Sequence, residues 1–221
     1  MKIMKMPDTV GLVVTDVDKT LYNGESGDRY IADGTAGEIA FMASYLDVSE
    51  MEAQEILSRK REELAQGGMI LSISHAVYAL GVSFKDWSRI RCACYFPEEY
   101  LTSNLSLAAA VSDSLLPLAA VTNSPREVGR RVLITLGLAQ ELRLGKIHIF
   151  GPEDFGVSKP DPQIYIRIAD KFAAPLAECI SIGDHEYKDC RIPLDAGYGG
   201  AIQVTGPEDF IQILADLRSQ P

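Results

Sequence analysis

Asp16 and Asp18 stand two residues apart directly after an apolar run at residues 10–15. In an extended chain that spacing turns both carboxylates to one face. The C-terminal end of a strand is where open α/β sheets carry their chemistry, although the same pattern also serves as a turn with a helix cap. Thr20 adds a hydroxyl that could bind phosphate or form the turn. Further along, polar residues recur where other apolar runs stop: Thr122-Asn123, and Asp184 with Asp189 five residues on, with Ser158-Lys159-Pro160 between them. If the runs are parallel strands, these residues share one edge of the sheet, and a hydroxyl, a cation and four carboxylates meet in one crevice. Carboxylates so crowded repel one another, and their pKa values rise unless a cation sits among them. An oxygen-only donor set suits the hard ion Mg²⁺, and the lysine and hydroxyl suit a phosphate.

The elements that must position these groups can be read from periodicity and punctuation. The short, β-branched run at 10–15 reads as a buried strand. Residues 23–28 form a polar, turn-rich stretch. Helical periodicity then holds over 36–46, 50–66, 69–80 and 84–95. Ser49 with Glu52 gives the second of these a capping box, Gly67-Gly68 and Gly81 supply stops, and Ser83 with Asp86 opens the fourth. Beyond residue 105 the pattern alternates: helix 107–115, strand 117–122, helix 125–136, strand 146–150, helix 161–172, strand 179–183, a helix at 187–195 interrupted by Pro193, strand 201–204 and helix 207–217. This predicts an α/β fold, a Rossmann-like parallel sheet with helices on both faces. Residues 1–21 and 101–221 make the core, and an all-helical segment, 22–100, is inserted after the first strand.

Composition narrows the function. The 221-residue chain is 47% hydrophobic and carries a net charge of −10, which argues against nucleic acid or an anionic membrane as partner. No apolar run approaches the ~18 residues of a membrane span, and the first residues do not read as a secretory signal. Cys92, Cys94, Cys179 and Cys190 lack the spacing of zinc or redox sites, and His75, His148 and His185 show no ligand spacing with them. Reduced thiols in a cytoplasmic protein are the expectation. Oligomeric state is not legible.

Taken in order, the motifs resemble those of the haloacid dehalogenase superfamily of hydrolases. Its Asp-x-Asp-x-Thr motif matches Asp16-Val17-Asp18-Lys19-Thr20, and its strand ending in Thr or Ser matches Ala120-Val121-Thr122. Its Lys, often followed by Pro, matches Lys159-Pro160, and its Gly-Asp with a later Asp matches Gly183-Asp184 and Asp189. The helical insertion is similar to the C1-type cap of one large subgroup. Thr20-Leu21-Tyr22 and Thr122-Asn123-Ser124-Pro125-Arg126 look most like the pyrimidine 5′-nucleotidase-like and phosphoglycolate phosphatase-like branch. One departure is Lys19, where the family usually has Gly or Asn.

The resemblance implies a Mg²⁺-dependent phosphomonoesterase working through an aspartyl-phosphate on a small phosphorylated metabolite, nucleoside 5′-monophosphates among the candidates. Asp16 would be the nucleophile and Asp18 the acid and base. Thr122, the backbone near Asn123 and Lys159 would bind the phosphoryl group. Asp16, the carbonyl of Asp18 and Asp184 would hold the metal, with Asp189 backing Lys159 or ordering water beside the ion. A phosphomutase, a metal-free dehalogenase and a non-catalytic phosphate-binding protein are the alternatives; a dehalogenase needs no acid and base at Asp18. For the leaving group, Trp87, Tyr78, Tyr95 and Phe96 could wall a nucleobase, whereas Arg89 or Arg91 could serve a small acid. His75, Trp87, Arg89 and Arg91 otherwise read as core or solvated-face residues of the insertion.

Overall fold

A computed structural model describes residues 1–65 and 71–218. Among these, six strands form one mixed sheet: β1 (Lys2–Lys5), β2 (Leu12–Thr15), β3 (Leu118–Val121), β4 (Ile147–Phe150), β5 (Cys179–Gly183) and β6 (Gly200–Gln203). Their order across the sheet is β1-β6-β5-β2-β3-β4. β2 through β6 are parallel, and β2 lies between β3 and β5, with Val13 opposite both Leu118 and Ile180. The chain runs outward from β2 through β3 to β4, then returns to the other side of β2. The carboxyl ends of β2, β3 and β5 therefore face one crevice at a topological switch point.

The two-residue period of β2 explains its burial on both faces. Val13 joins one apolar cluster with Leu107 and Val111 of α5 (Leu105–Asp113), Val128 and Val132 of α6 (Arg126–Thr135), and Phe210 and Leu214 of α11 (Pro207–Arg218). Leu12 and Val14 join another cluster with Ile164, Tyr165 and Ile168 of α9 (Gln163–Lys171). Short helices α7 (Ala139–Arg143), α8 (Pro152–Phe155) and α10 (Ile192–Asp195) complete the core, the last preceded by a π-type turn at Glu186–Arg191.

Between β2 and α5 lie α1 (Gly24–Leu46), α2 (Glu50–Leu64), α3 (Ile73–Ala79) and α4 (Phe84–Cys94). They enclose their own cluster of Met42, Ala53, Leu57, Ala76, Val77 and Trp87. The Ser49–Glu52 capping box forms, and the Ser83 hydroxyl accepts the Asp86 N–H. Tyr22, Tyr30, Tyr95 and Leu101, at the roots of the insertion, pack into the main cluster instead.

The fold class holds, with corrections. The polar stretch 23–28 is not a loop: from Gly24 onward it is the first turn of a 23-residue helix. Its glycines read as turn signals, but at least two make room for aromatic rings. A Cβ on Gly27 would stand 2.8 Å from the Tyr22 ring, and one on Gly34 2.2 Å from the Tyr95 ring. The sheet is not wholly parallel, because β1, absent from the sequence reading, pairs antiparallel with β6. Its four residues are largely exposed, and its lysines mark a blunted edge. Helices α7 and α8 were likewise too short to show periodicity. The expected helix at 187–195 is the π-type turn followed by α10. The expected helix at 69–80 begins only at Ile73; its first residues and the Gly67-Gly68 stop lie outside the described residues.

Candidate active site

Every group singled out after an apolar run lies at the carboxyl edge of the sheet. Asp16 directly follows β2, and its N–H donates to Ile182 O at 2.8 Å, tying it to β5. Lys159 comes from the loop between α8 and α9, whose Lys159–Pro160 peptide is cis. Its ammonium is buried, 2.5 Å from Asp16 Oδ1 and 2.7 Å from Asp189 Oδ1. Asp189 Oδ2 accepts the His185 N–H at 3.1 Å, so both of its oxygens have partners. This is the arrangement of a residue that backs the lysine.

Carboxylate oxygens of Asp16, Asp184 and Asp189 lie within 4.8 Å of one another. Burial pushes the Asp16 carboxyl up to about 8 against the pull of Lys159, and Asp189, Asp18 and Asp184 push it the same way. Asp184 is also raised, first by burial and then by Asp189. Burial disfavours charge on Lys159 as well, yet Asp16 and Asp189 hold its ammonium well above the usual range. One ammonium among crowded carboxyls leaves room for more positive charge, and oxygen donors alone fit a hard divalent cation. Asp16 and Asp184, with oxygens not committed to protein donors among the described residues, are the side chains best placed to hold it.

Asp18 stands outside that cluster. Its Oδ1 accepts the Tyr22 hydroxyl at 2.6 Å. Tyr22 is buried, and burial together with Asp18 raises its phenol well above the usual range, keeping it a donor. A contact four residues back across a turn leaves no periodic signal in the sequence. Lys19 adopts a left-handed conformation, φ 61°, and its half-exposed ammonium pairs with Asp28 at 2.9 Å. The site prefers Gly or Asn for a backbone reason.

Thr122 is buried just past β3, and its hydroxyl accepts the Ser124 N–H at 3.0 Å. The Asn123 side chain engages Lys159: Oδ1 accepts the Lys159 N–H and Nδ2 donates to Lys159 O, both at 2.9 Å. Of the cap residues, Arg91 reaches the cleft. It is clamped by buried Glu38 at 2.5 Å, donates to Asn123 O at 2.8 Å and lies over the Tyr95 ring. Arg89 is exposed beside Asp86. Trp87 is buried in the core of the insertion, its Nε1–H on Ser74. Phe96 lies under Arg131 and Tyr78 beside Phe84. His75 bonds Ser72 at 2.8 Å and approaches Ser158 at 3.5 Å.

The resulting cleft has a volume of about 220 Å³ and is lined by Asp16, Asp18, Lys159, Asp184, Arg91 and Tyr95, among others. No described helix is long and apolar enough to cross a membrane, and all four cysteines are free.

A family model described as haloacid dehalogenase-like hydrolase matches residues 10–197. No curated protein sequence matches the chain. Among solved structures it is similar to a HAD phosphatase from Thermococcus onnurineus, at 16% identity and TM-score 0.59, covering 88% of this chain and 86% of that one. It is also similar to the HAD hydrolase YfnB from Bacillus subtilis, solved with magnesium, at 17% identity and TM-score 0.56, covering 94% and 100%. An L-2-haloacid dehalogenase from Xanthobacter autotrophicus aligns at 15% identity and TM-score 0.50, covering 89% and 78%.

Proposed function

The chain belongs to the haloacid dehalogenase-like hydrolases, and within that family we propose that it is a Mg²⁺-dependent phosphomonoesterase. The observation that carries this reading is the buried Lys159 ammonium, 2.5 Å from Asp16 in a cluster with Asp184 and Asp189. In this reading Asp16 attacks phosphorus as the ester P–O bond breaks, and Asp18 gives its proton to the departing alkoxide. Water then attacks the aspartyl-phosphate, Asp18 takes its proton, and the bond from Asp16 to phosphorus breaks to release phosphate. Lys159 balances charge on Asp16 and the phosphoryl oxygens, and Tyr22 fixes which oxygen of Asp18 is free to move the proton. A Mg²⁺ ion held by Asp16, the Asp18 carbonyl and Asp184 would add positive charge beside the phosphoryl group. Residues 22–100 act as the cap over this site.

The acid and base at Asp18 and the three-carboxylate cluster favour the phosphatase over a metal-free dehalogenase, while the dehalogenase among the structural relatives makes halide release the control. The cleft favours a small substrate. Its volume of about 220 Å³ is below the ~300 Å³ at which ligand pockets usually begin. Of the four aromatics considered for a nucleobase wall, only Tyr95 lines it, and Lys188 lines it as a cation for an acidic leaving group beside Arg91, whose charge is paired with Glu38. A short phosphorylated acid is therefore placed ahead of nucleoside 5′-monophosphates. The four free thiols agree with a cytoplasmic setting.

The test is phosphate release from phosphoglycolate, a sugar phosphate, UMP, CMP and p-nitrophenyl phosphate, with Mg²⁺ and with chelator, alongside halide release from 2-chloropropionate. Activity on at least one ester, lost in chelator and in the near-isosteric Asp16→Asn variant, is expected. Full activity of Asp16→Asn, or halide release alone, would reject the reading.

A further inference from the structure

We propose that Asn123 is a positioning residue for Lys159, and that the helical insertion holds Asn123 in place through Arg91. This rests on the phosphomonoesterase reading but concerns the side chain of a residue whose backbone that reading assigned to the phosphate. Both polar ends of the Asn123 carboxamide are committed to the backbone of one residue 36 positions away: Oδ1 to the Lys159 N–H and Nδ2 to the Lys159 carbonyl, each at 2.9 Å. The clamp imitates a strand pairing at a point where the chain has no regular structure on the Lys159 side. It fixes the base of a side chain whose tip is buried between Asp16 at 2.5 Å and Asp189 at 2.7 Å.

Asn123 is held in turn. Its carbonyl accepts Arg91 Nη1 at 2.8 Å, and Arg91 is fixed on the insertion by Glu38, 2.5 Å away, and by the Tyr95 ring. Glu38 lies on α1 and Arg91 on α4. The seating of two insertion helices thus reaches Lys159 through one peptide and one carboxamide. His75 of α3, with its ring nitrogen 3.5 Å from Ser158 Oγ, meets the same loop one residue before the lysine. With the clamp in place, Oδ1 and one Nδ2 hydrogen of Asn123 are engaged by Lys159, and a single N–H remains for any other acceptor.

A double-mutant cycle separates the two roles. Asn123→Ala is expected to lower kcat for the best ester by about tenfold to a hundredfold, the scale of an ångström-sized misplacement of a reacting group. In a Lys159→Met background the same change is expected to cost less than twofold, because there is no ammonium left to aim. The dissociation constant of inorganic phosphate, read by calorimetry in the same four proteins, should follow the same pattern. Independent losses that multiply in the double variant would make Asn123 a direct phosphate ligand and overturn the proposal. A crystal structure of Asn123→Ala decides the matter even if every ester fails as substrate and the phosphatase reading falls. The Lys159 ammonium is expected to leave hydrogen-bond distance of Asp16 or Asp189, and its staying on both would equally overturn the assignment.

Discussion

At the scale of the residue, what a side chain can do here is set by how many of its polar atoms are already committed. Both oxygens of Asp189 and both polar atoms of the Asn123 carboxamide already meet protein partners, which is the ground for proposing that both act through Lys159. Asp16 and Asp184 retain capacity, and Asp18 keeps one oxygen after Tyr22 has taken the other. Lys19 is the residue where the chain departs from its family, and the departure is a backbone cost. At φ 61° a lysine occupies a conformation whose strain runs to about 1–2 kcal/mol, while its exposed pair with Asp28 returns at most ~1 kcal/mol. Lys19→Asn keeps a side chain tolerant of this conformation. It is expected to raise stability by about 0.5–1 kcal/mol in urea denaturation and to change Mg²⁺ affinity less than about twofold. An increase in affinity of tenfold or more would mean that the ammonium repels the ion despite facing Asp28.

At the scale of the element, the helical insertion shows where sequence reading works and where it stops. The Ser49–Glu52 and Ser83–Asp86 signals marked true helix starts because capping is local chemistry. The start of α1 was misread because Gly24 and Gly27 carry turn chemistry, whereas Gly27 makes room for the Tyr22 ring and Gly34, further along, for Tyr95, 61 positions beyond it. The Asn123 clamp and the Glu38–Arg91 pair were invisible because they join residues 36 and 53 positions apart. The meeting of Lys159 with Asp16, across 143 positions, was legible nonetheless, because a parallel sheet brings its carboxyl ends to one edge whatever the loop lengths. Gly34 puts numbers on this contest. Alanine in an exposed helix interior is favoured over glycine by about 1 kcal/mol. A Cβ there, however, would lie 2.2 Å from a buried ring, and overpacking of this kind costs about 1–3 kcal/mol. The ring is itself held between Tyr30 and Arg91, so it has little room to yield. Gly34→Ala is expected to lower the Tm by several degrees and to weaken activity through Arg91. A rise in Tm would show that Tyr95 moves freely.

At the scale of the whole molecule, the site is a liability that binding relieves. The Asp16 carboxyl, raised to about 8 by burial and its neighbours, holds its proton in the fold across a pH range where the unfolded chain has lost it. Between about pH 4 and pH 8 the native state therefore binds more protons than the unfolded state, and stability falls as pH rises through that window. Asp184, also raised, adds to the fall. Groups with lowered pKa oppose it: Asp209, bonded to Thr205 and the N-terminus, loses its contribution as pH drops below the ordinary carboxylate range, and His75 and His185, lowered by burial, add stability as pH rises toward the ordinary histidine range of about 6.5. Above the histidine range the opposition ends, and the metal-free protein should lose stability as pH rises from about 6.5 to 8. A cation that binds the ionised cluster reverses the slope. At a hundredfold excess over its dissociation constant it contributes about 2.7 kcal/mol, and binding releases protons. Thermal melts from about pH 6.5 to pH 9 are expected to show Tm declining in chelator and held level or rising in millimolar Mg²⁺, the two curves parting as Asp16 would ionise. Calorimetry in buffers of different ionisation enthalpy should register proton release on Mg²⁺ binding at pH 7. Superimposed melts, or binding without proton release, would mean that the carboxylates are already ionised without the metal and that Lys159 alone balances them.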